Sequence, residues 1–363
     1  MYLDHQRAAA ARLRLVASIT ELKQTTSPPQ GDWYSHDATG NLEFLEKFLA
    51  PVWTPRFEKS FEFGVLDLGF GDGELSCLIK SLGFDVHGSD TSLYNPNALT
   101  AVESLKSKLG LNFPTVDVNL EEDSAWQGLP TEAGFAFALG VLYHLENPIA
   151  FLKRISSRSN YLVLSSRILP PDSIALMPFS MSKCFSLILE EGQIDGDITN
   201  FSIPSSAALH RMCSQSNWTI LHSTIIRASP VKMGLMDYRE FVLLESNLRC
   251  RSGFVLGNGW YPVPKAKGPT WSGTKCSFLI TERKDFSFYI PESLNVALQP
   301  VLEIDIDGRV SRIPIERHGN HSIRLPGSET ENESCARLTK LSCIGFEYPP
   351  SPDIRGLGVI LLD

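Results

Sequence analysis

The sequence predicts an α/β domain built on a doubly wound seven-stranded sheet, followed by an all-β sandwich of jelly-roll type. Two observations predict it. From about residue 63 to 166, short apolar runs alternate with amphipathic segments at the spacing of βαβ units, which form a parallel sheet covered on both faces. After about residue 247 helical periodicity disappears, and short alternating segments separated by Gly, Pro and Asn replace it. A hydrophobic fraction of 43% beside 20% charged residues is that of a globular chain, so wholesale disorder is excluded. At 363 residues there is room for one mid-sized domain with smaller additions.

The elements follow in order. Residues 6–24 read as one amphipathic helix stopped by Thr25-Thr26-Ser27-Pro28-Pro29, and residues 41–49 as a second, capped by Asn41 and ended before Pro51. Strand one is Phe63–Leu68, followed by a helix over Glu74–Leu82. Strand two is Phe84–Asp90, with a helix over Asn97–Leu109 behind it. Thr115–Val118, Ala133–Val141 and Tyr161–Ser166 are strands three, four and five, with a helix over Ile149–Ser157 before the last. Residues 168–204 break the rhythm with the adjacent Pro170 and Pro171, several Ser and Met and an acidic stretch from Glu190 to Asp197, and are expected to form a lid. A helix over Ser205–Ser216, capped by Ser205 or Ser206, then leads to two antiparallel strands, Trp218–Arg227 and Tyr238–Glu245. In the last third the expected strands are Gly253–Leu256, Cys276–Ile280, Phe286–Ile290, Val301–Ile306, Ser322–Leu325, Leu338–Ile344 and Gly358–Leu362, with Asp307-Gly308 as a hairpin turn. The division is thus a helical cap segment (1–40), an α/β domain with its lid (41–246) and a β-sandwich (247–363).

A net charge of -8 and the lack of a long basic run argue against binding dominated by a phosphate backbone. The 7 cysteines are scattered singly, with no paired Cys/His spacing, so neither a disulfide framework nor a metal site is expected. No basic segment followed by an apolar stretch opens the sequence, and no apolar run approaches 18 residues. The expectation is a cytoplasmic protein that does not engage a membrane; an oligomer is left open.

The chemistry is carried by Val65-Leu66-Asp67-Leu68-Gly69-Phe70-Gly71-Asp72-Gly73-Glu74, which closes strand one and opens a helix. Glycines let the backbone turn sharply and approach a ligand, and the helix N-terminus offers free N–H groups. A dinucleotide fingerprint would carry Gly where Glu74 stands. The pattern is instead D-x-G-x-G-x-G, suited to a ligand with an amino-acid carboxylate and ammonium rather than a diphosphate.

This segment resembles motif I of class I S-adenosylmethionine-dependent methyltransferases, whose sheet is Rossmann-like, and the resemblance runs over roughly residues 40–246. It implies S-adenosylmethionine as cofactor, its methionine part held by Asp67, Gly69, Gly71 and Gly73 with Phe70 in the same loop. It implies an acid at the end of strand two on the ribose hydroxyls. Asp90 stands there beside Thr91, 23 residues after Asp67, close to the ~20 expected for a ribose acid. Asp117 after strand three matches the acid that accepts from the adenine amino group, with Val118 or Asn119 on the ring. Strand four ends at Leu139, where the family places the transferring methyl, and Tyr143-His144-Leu145 follows. That stretch is similar to the wobble-uridine carboxymethyltransferase of tRNA and its small-molecule relatives. His144 is the candidate base for a hydroxyl acceptor and Tyr143 a positioning residue; the other reading has His144 cap the next helix and Tyr143 pack under the cofactor. Trp33-Tyr34-Ser35-His36 occupies the place where relatives fold an N-terminal segment over the pocket.

In the last third, Gly257-Asn258-Gly259-Trp260-Tyr261 and Trp271-Ser272-Gly273 resemble β-sandwich modules of bacterial glycosyltransferases and surface-polysaccharide enzymes. Those modules commonly follow the Gly-Trp-Tyr with an acid and place Arg before the second Trp; here Val263–Lys267 and Thr270 stand there. The implied activity is O-methylation of a sugar, glycan or other small hydroxylated acceptor. The alternatives are a tRNA-modifying alkyltransferase and a non-catalytic protein that binds through its sandwich.

Overall fold

The computed structural model describes residues 5–27, 33–34, 39–171, 184–194, 197–227 and 238–251, and beyond these mainly the strands given below. The chain divides into two compact units, Met1–Trp53 with Gly64–Ser246, and Thr54–Phe63 with Asn247–Asp363.

In the first unit α1 (His5–Thr25) and α2 (Thr39–Leu49) precede the sheet. Asn41 was expected to cap α2, but the helix starts two residues earlier and Asn41 lies within its first turn, a shift of the size at which helix ends fray. Then come β1 (Val65–Leu68), α4 (Glu74–Ser81), β2 (Val86–Asp90), α5 (Ala98–Leu109), β3 (Thr115–Asp117), β4 (Ala133–Leu139), α6 (Pro148–Arg158) and β5 (Ser159–Arg167), with α3 (Pro55–Ser60) belonging to the second unit. After the lid follow α7 (Ser206–Gln215), β8 (Trp218–Arg227) and β9 (Tyr238–Ser246). The sheet order is β3-β2-β1-β4-β5-β9-β8. The pairs among β1–β5 are parallel, and β9 enters antiparallel between β5 and β8.

Strands covered on both faces carry apolar runs such as Tyr161–Leu164, and all nine residues of β5 are buried. Leu66, Leu68, Ala136 and Leu162 join Phe151 and Leu152 of α6 in one core. Trp218 of β8 is 2% exposed and its Nε1 donates to the Leu152 carbonyl at 3.0 Å, so it fills the core without stranding its polar atom. Truncating such a residue to alanine costs about 3–5 kcal/mol. The two carboxy-terminal helices are capped from their own sequence: Asn147 accepts from Ala150 N–H at 3.0 Å ahead of Pro148, and Ser205, rather than Ser206, accepts from Ala208 N–H at 3.1 Å.

Strand order reverses between β1 and β4, the switch point outside whose carboxyl ends α/β sheets bind ligands. Over that end lies the described part of the lid. There β6 (Ser186–Ile188) pairs antiparallel with β7 (Ser202–Pro204), on a small core of Leu169, Leu189, Ile194 and Ile203. Residues 172–183 and 195–196 of the lid lie outside the described residues.

The second unit holds α3 (Pro55–Ser60) and two antiparallel sheets. The first runs β10 (Cys250–Arg251), β11 (Phe254–Leu256), β14 (Lys275–Ile280), β19 (Arg337–Ile344), β16 (Val301–Ile306), β17 (Arg309–Pro314). The second runs β12 (Trp260–Tyr261), β13 (Thr270–Gly273), β20 (Leu357–Leu362), β15 (Asp285–Ile290), β18 (Gly319–Arg324). In each of the seven expected segments the described residues form a strand. The sequence missed β10, β12 and β13, which are too short to show a period, and β17, a polar edge strand with an exposed Arg312. Asp307 and Gly308 lie outside the described residues, although Ile306 and Arg309 on either side are register partners. Trp260 and Tyr261 pair with Ser272 and Trp271 across β12 and β13.

Candidate active site

Three turns meet at the switch point. The loop after β1 carries Gly69 at φ +77° and Gly71 at φ +63°, both in the left-handed region. A Cβ on Gly69 would collide with the Val141 side chain, so only glycine lets this loop lie against the loop after β4. The Gly71 N–H donates to Asp90 Oδ2 at 2.8 Å, and Thr91 N–H donates to Asp90 Oδ1 at 2.7 Å. Burial pushes the Asp90 carboxyl up to about 6 against these two bonds. The Asn95 side chain donates a third bond to this carboxylate, and the acceptor site that remains can take a ribose hydroxyl.

Asp67 is turned inward. It is 3% exposed, its Oδ2 accepts from Ser76 Oγ at 2.6 Å, and burial drives its carboxyl up to about 7 with the Ser76 bond opposing. It braces β1 against α4 beneath the loop. Phe70 is likewise buried, its ring against Gly88 of β2, where a Cβ would stand 2.9 Å from Phe70 Cδ1. Asp117 sits beside Asp90 in register and holds the turn after β2, its Oδ1 accepting from Ser92 N–H at 2.9 Å and its Oδ2 from Ser92 Oγ. Val118 N–H donates to the Asp90 carbonyl at 2.8 Å. Thr91 Oγ1 accepts from Leu93 N–H at 3.3 Å, and Leu139 ends β4, half-buried, opposite Ser165.

The turn after β4 brings Tyr143 and His144 together with two lid residues. His144 Nδ1 lies 2.8 Å from Thr199 Oγ1 and 3.1 Å from the Thr199 carbonyl. Thr199 Oγ1 donates its one proton to Asp197 Oδ1 at 2.6 Å, and Thr199 N–H donates to the same oxygen at 2.8 Å. Facing two acceptors, Nδ1 is the protonated nitrogen, and Nε2 of the neutral ring carries the lone pair. Burial lowers the His144 pKa, Thr199 and Asp197 oppose that, and Arg167 and Arg239 reinforce it. Asp197 stays below the usual carboxylate range because its Thr199 bonds outweigh burial. The helix after this turn is capped by Asn147, which leaves His144 outside the cap.

Tyr143 is 5% exposed, and its hydroxyl accepts from Arg239 Nη2 at 3.3 Å. The Arg167 and Arg239 guanidinium carbons lie 5.4 Å and 5.6 Å from its ring centroid. Arg167 ends β5 and Arg239 opens β9, and the two are register partners.

From the amino-terminal side, Lys23 of α1 reaches the glycine loop, its Nζ 2.6 Å from Asp72 Oδ2 and 2.5 Å from Glu74 Oε1. Burial opposes a charge on Lys23, but these carboxylates outweigh it and raise its pKa; burial raises Glu74 as well. Tyr34 N–H donates to Asp72 at 3.0 Å, and its ring closes over Gly71, 3.4 Å from where a Cβ would stand. Burial raises the Tyr34 phenol, with Tyr143, Asp90 and Asp197 adding to the rise. His210 of α7 is occupied elsewhere, its Nε2 2.6 Å from Oε1 of the buried Glu240.

A seven-stranded sheet with β9 antiparallel, a D-x-G-x-G-x-G turn after β1 and an acid ending β2 define a class I S-adenosylmethionine-dependent methyltransferase. The chain belongs to the methyltransferase domain family, whose profile matches residues 34–223, just over half of its length. No curated protein matches the sequence. Among solved structures it is similar to magnesium protoporphyrin IX methyltransferase from Synechocystis with bound S-adenosylhomocysteine, at 15% identity over 60% of this chain and 90% of that one, TM-score 0.39. It is also similar to the N-terminal domain of EvdMO1 with S-adenosylhomocysteine and D-fucose, at 15% identity over 53% and 83%, TM-score 0.36. The [4+2]-cyclase SpnF matches at 12% identity over 67% and 96%, TM-score 0.41.

Proposed function

We propose that the protein is an O-methyltransferase acting on the hydroxyl of a sugar, glycan or other small hydroxylated metabolite in the cytoplasm. S-adenosylmethionine, when bound, supplies an electrophilic methyl on a sulfonium. Asp90 takes the ribose hydroxyls, with Thr91 shaping its turn, and the backbone of Gly69, Gly71 and Gly73 receives the methionine part above Asp67 and Phe70. Asp117 and Val118 border the adenine, and Leu139 lies beside the methyl. Residues 41–246 do this work beneath the cap at 1–40, with the sandwich at 247–363 as an accessory domain.

The observation that carries the reading is the chain Asp197–Thr199–His144. It sets the imidazole in the tautomer whose Nε2 is a free base, and burial keeps that ring neutral near pH 7. Methyl transfer needs alignment more than covalent help, but an alcohol is a poor nucleophile until its proton has a destination. Nε2 of His144 takes that proton, and Tyr143 orients the acceptor. Incubation with methyl-labelled S-adenosylmethionine and a panel of sugars, sugar acids and hydroxylated aromatics tests this. An O-methyl product identified by NMR is expected; exclusive N- or C-methylation, or no transfer to any hydroxyl, overturns it.

A further inference from the structure

Arg239 is a half-buried guanidinium without a carboxylate: among the described residues its one hydrogen bond is to the neutral Tyr143 hydroxyl. A half-buried cation is costly without a counter-ion, and a guanidinium fork matches an oxyanion in geometry as well as charge. Asp197, the carboxylate of this corner, is committed to both Thr199 donors and has the Arg167 charge beside it. Asp90 is committed to Gly71, Thr91 and Asn95. Arg239 also lies at the working end of the sheet. Its Nη1 is 3.4 Å from where a Cβ on Gly140 would stand, and the Tyr143 hydroxyl is 3.2 Å from the same point. Having accepted from Arg239, that hydroxyl still has its own proton to donate. A guanidinium fork and a phenolic O–H therefore converge one residue beyond the end of β4, four positions before His144.

We propose that Arg239 and the Tyr143 hydroxyl form an oxyanion subsite, and that the acceptor is a hydroxylated compound carrying a carboxylate or a phosphate near the hydroxyl that is methylated. This rests on the methyl-transfer reading above and narrows its substrate class. Arg167, across the Tyr143 ring, adds to the positive potential felt by the anion. The neighbouring cations also help to keep His144 unprotonated while such a substrate waits.

The test uses the full chain. S-adenosylhomocysteine is first titrated into wild type; then the loaded protein is titrated with D-glucuronate, D-glucose 6-phosphate and D-glucose. Saturable binding of one anionic sugar at least about tenfold tighter than that of glucose is expected, the loss proper to one charged hydrogen-bonded partner. A carboxylate subsite and a phosphate subsite are separated by which of the two anionic sugars binds tighter. Arg239→Gln should abolish the preference, and Arg239→Lys should restore part of it. Equal binding of all three sugars, no binding of either anionic sugar, or a preference unchanged in Arg239→Gln overturns the subsite and leaves methyl transfer standing. Failure of S-adenosylhomocysteine to bind at all removes both.

Discussion

Asp90 at the end of β2 and Gly71 in the loop after β1 are joined by a 2.8 Å hydrogen bond from the glycine N–H to the carboxylate. The proposed ribose acceptor and the glycine turn are therefore one unit. Asp90→Ala should weaken S-adenosylhomocysteine binding at least about tenfold, since a charge-assisted bond of roughly 1.5–3 kcal/mol disappears. Because burial raises Asp90 to about 6, affinity in wild type should also fall as pH drops from 7 to 5. Titration calorimetry reads both, and an Asp90→Asn variant that keeps the same pH dependence would assign it to another group.

Thr199→Val keeps the shape of the threonine while cutting the link between Asp197 and His144. Turnover should fall about tenfold or more, a part of the 10²–10⁴ that a positioned base contributes. Nitrogen chemical shifts of His144 should show the Nδ1–H tautomer in wild type. Its pKa should drop further in Asp197→Asn, since the Asp197 charge opposes the lowering. A pKa that rises instead would break the chain of reasoning.

Lys23→Met leaves Asp72 and Glu74 buried without their cation. Removing one partner of a buried ion pair costs about 3–5 kcal/mol, so a large fall in denaturation midpoint is expected. If the variant is as stable as wild type, α1 does not hold the glycine loop.

The pair of His210 and Glu240 gives a pH signature. The Glu240 hydrogen bond raises the His210 pKa above its ordinary 6.5. The pair's contribution is whole below about 6.5, the unfolded value, and drains away as pH climbs through the higher folded one. Thermal melts of wild type should therefore lose stability from pH 6 to 8 by a component that His210→Gln lacks. Parallel curves for the two proteins would exclude it.

The sheet and the glycine turn were legible because burial on both faces forces continuous apolar runs, and a left-handed turn near a ligand demands glycine. Asp90 and Asp117 were legible as the last residues of their strands. Arg239 and the lid pair Asp197 and Thr199 were not, since they reach the site from segments 50 or more residues from Tyr143 and His144. One signal was available: Arg167 follows the expected strand five directly and Arg239 lies at the start of the last strand, so antiparallel pairing alone would have set them side by side. The side-chain direction of Asp67 was hidden because an acid at a strand end reads the same whether it faces a ligand or, as here, a serine hydroxyl.

The antiparallel place of β9 between β5 and β8 bears on how the chain is made. Residues 159–167 emerge from the ribosome well before 238–246, so β5, with Tyr161–Leu164 at its apolar centre, is for a time the outermost strand, with one row of backbone N–H and carbonyl groups open. Until β9 slides in, that margin can recruit a neighbouring nascent chain. The same late arrival delivers Arg239, so a nascent chain becomes chemically complete at the moment it ceases to be sticky. Ribosome-stalled chains ending at residue 230 should accordingly bind chaperones more than chains whose residue 246 has cleared the exit tunnel, and equal capture of the two would show that β5 is shielded some other way.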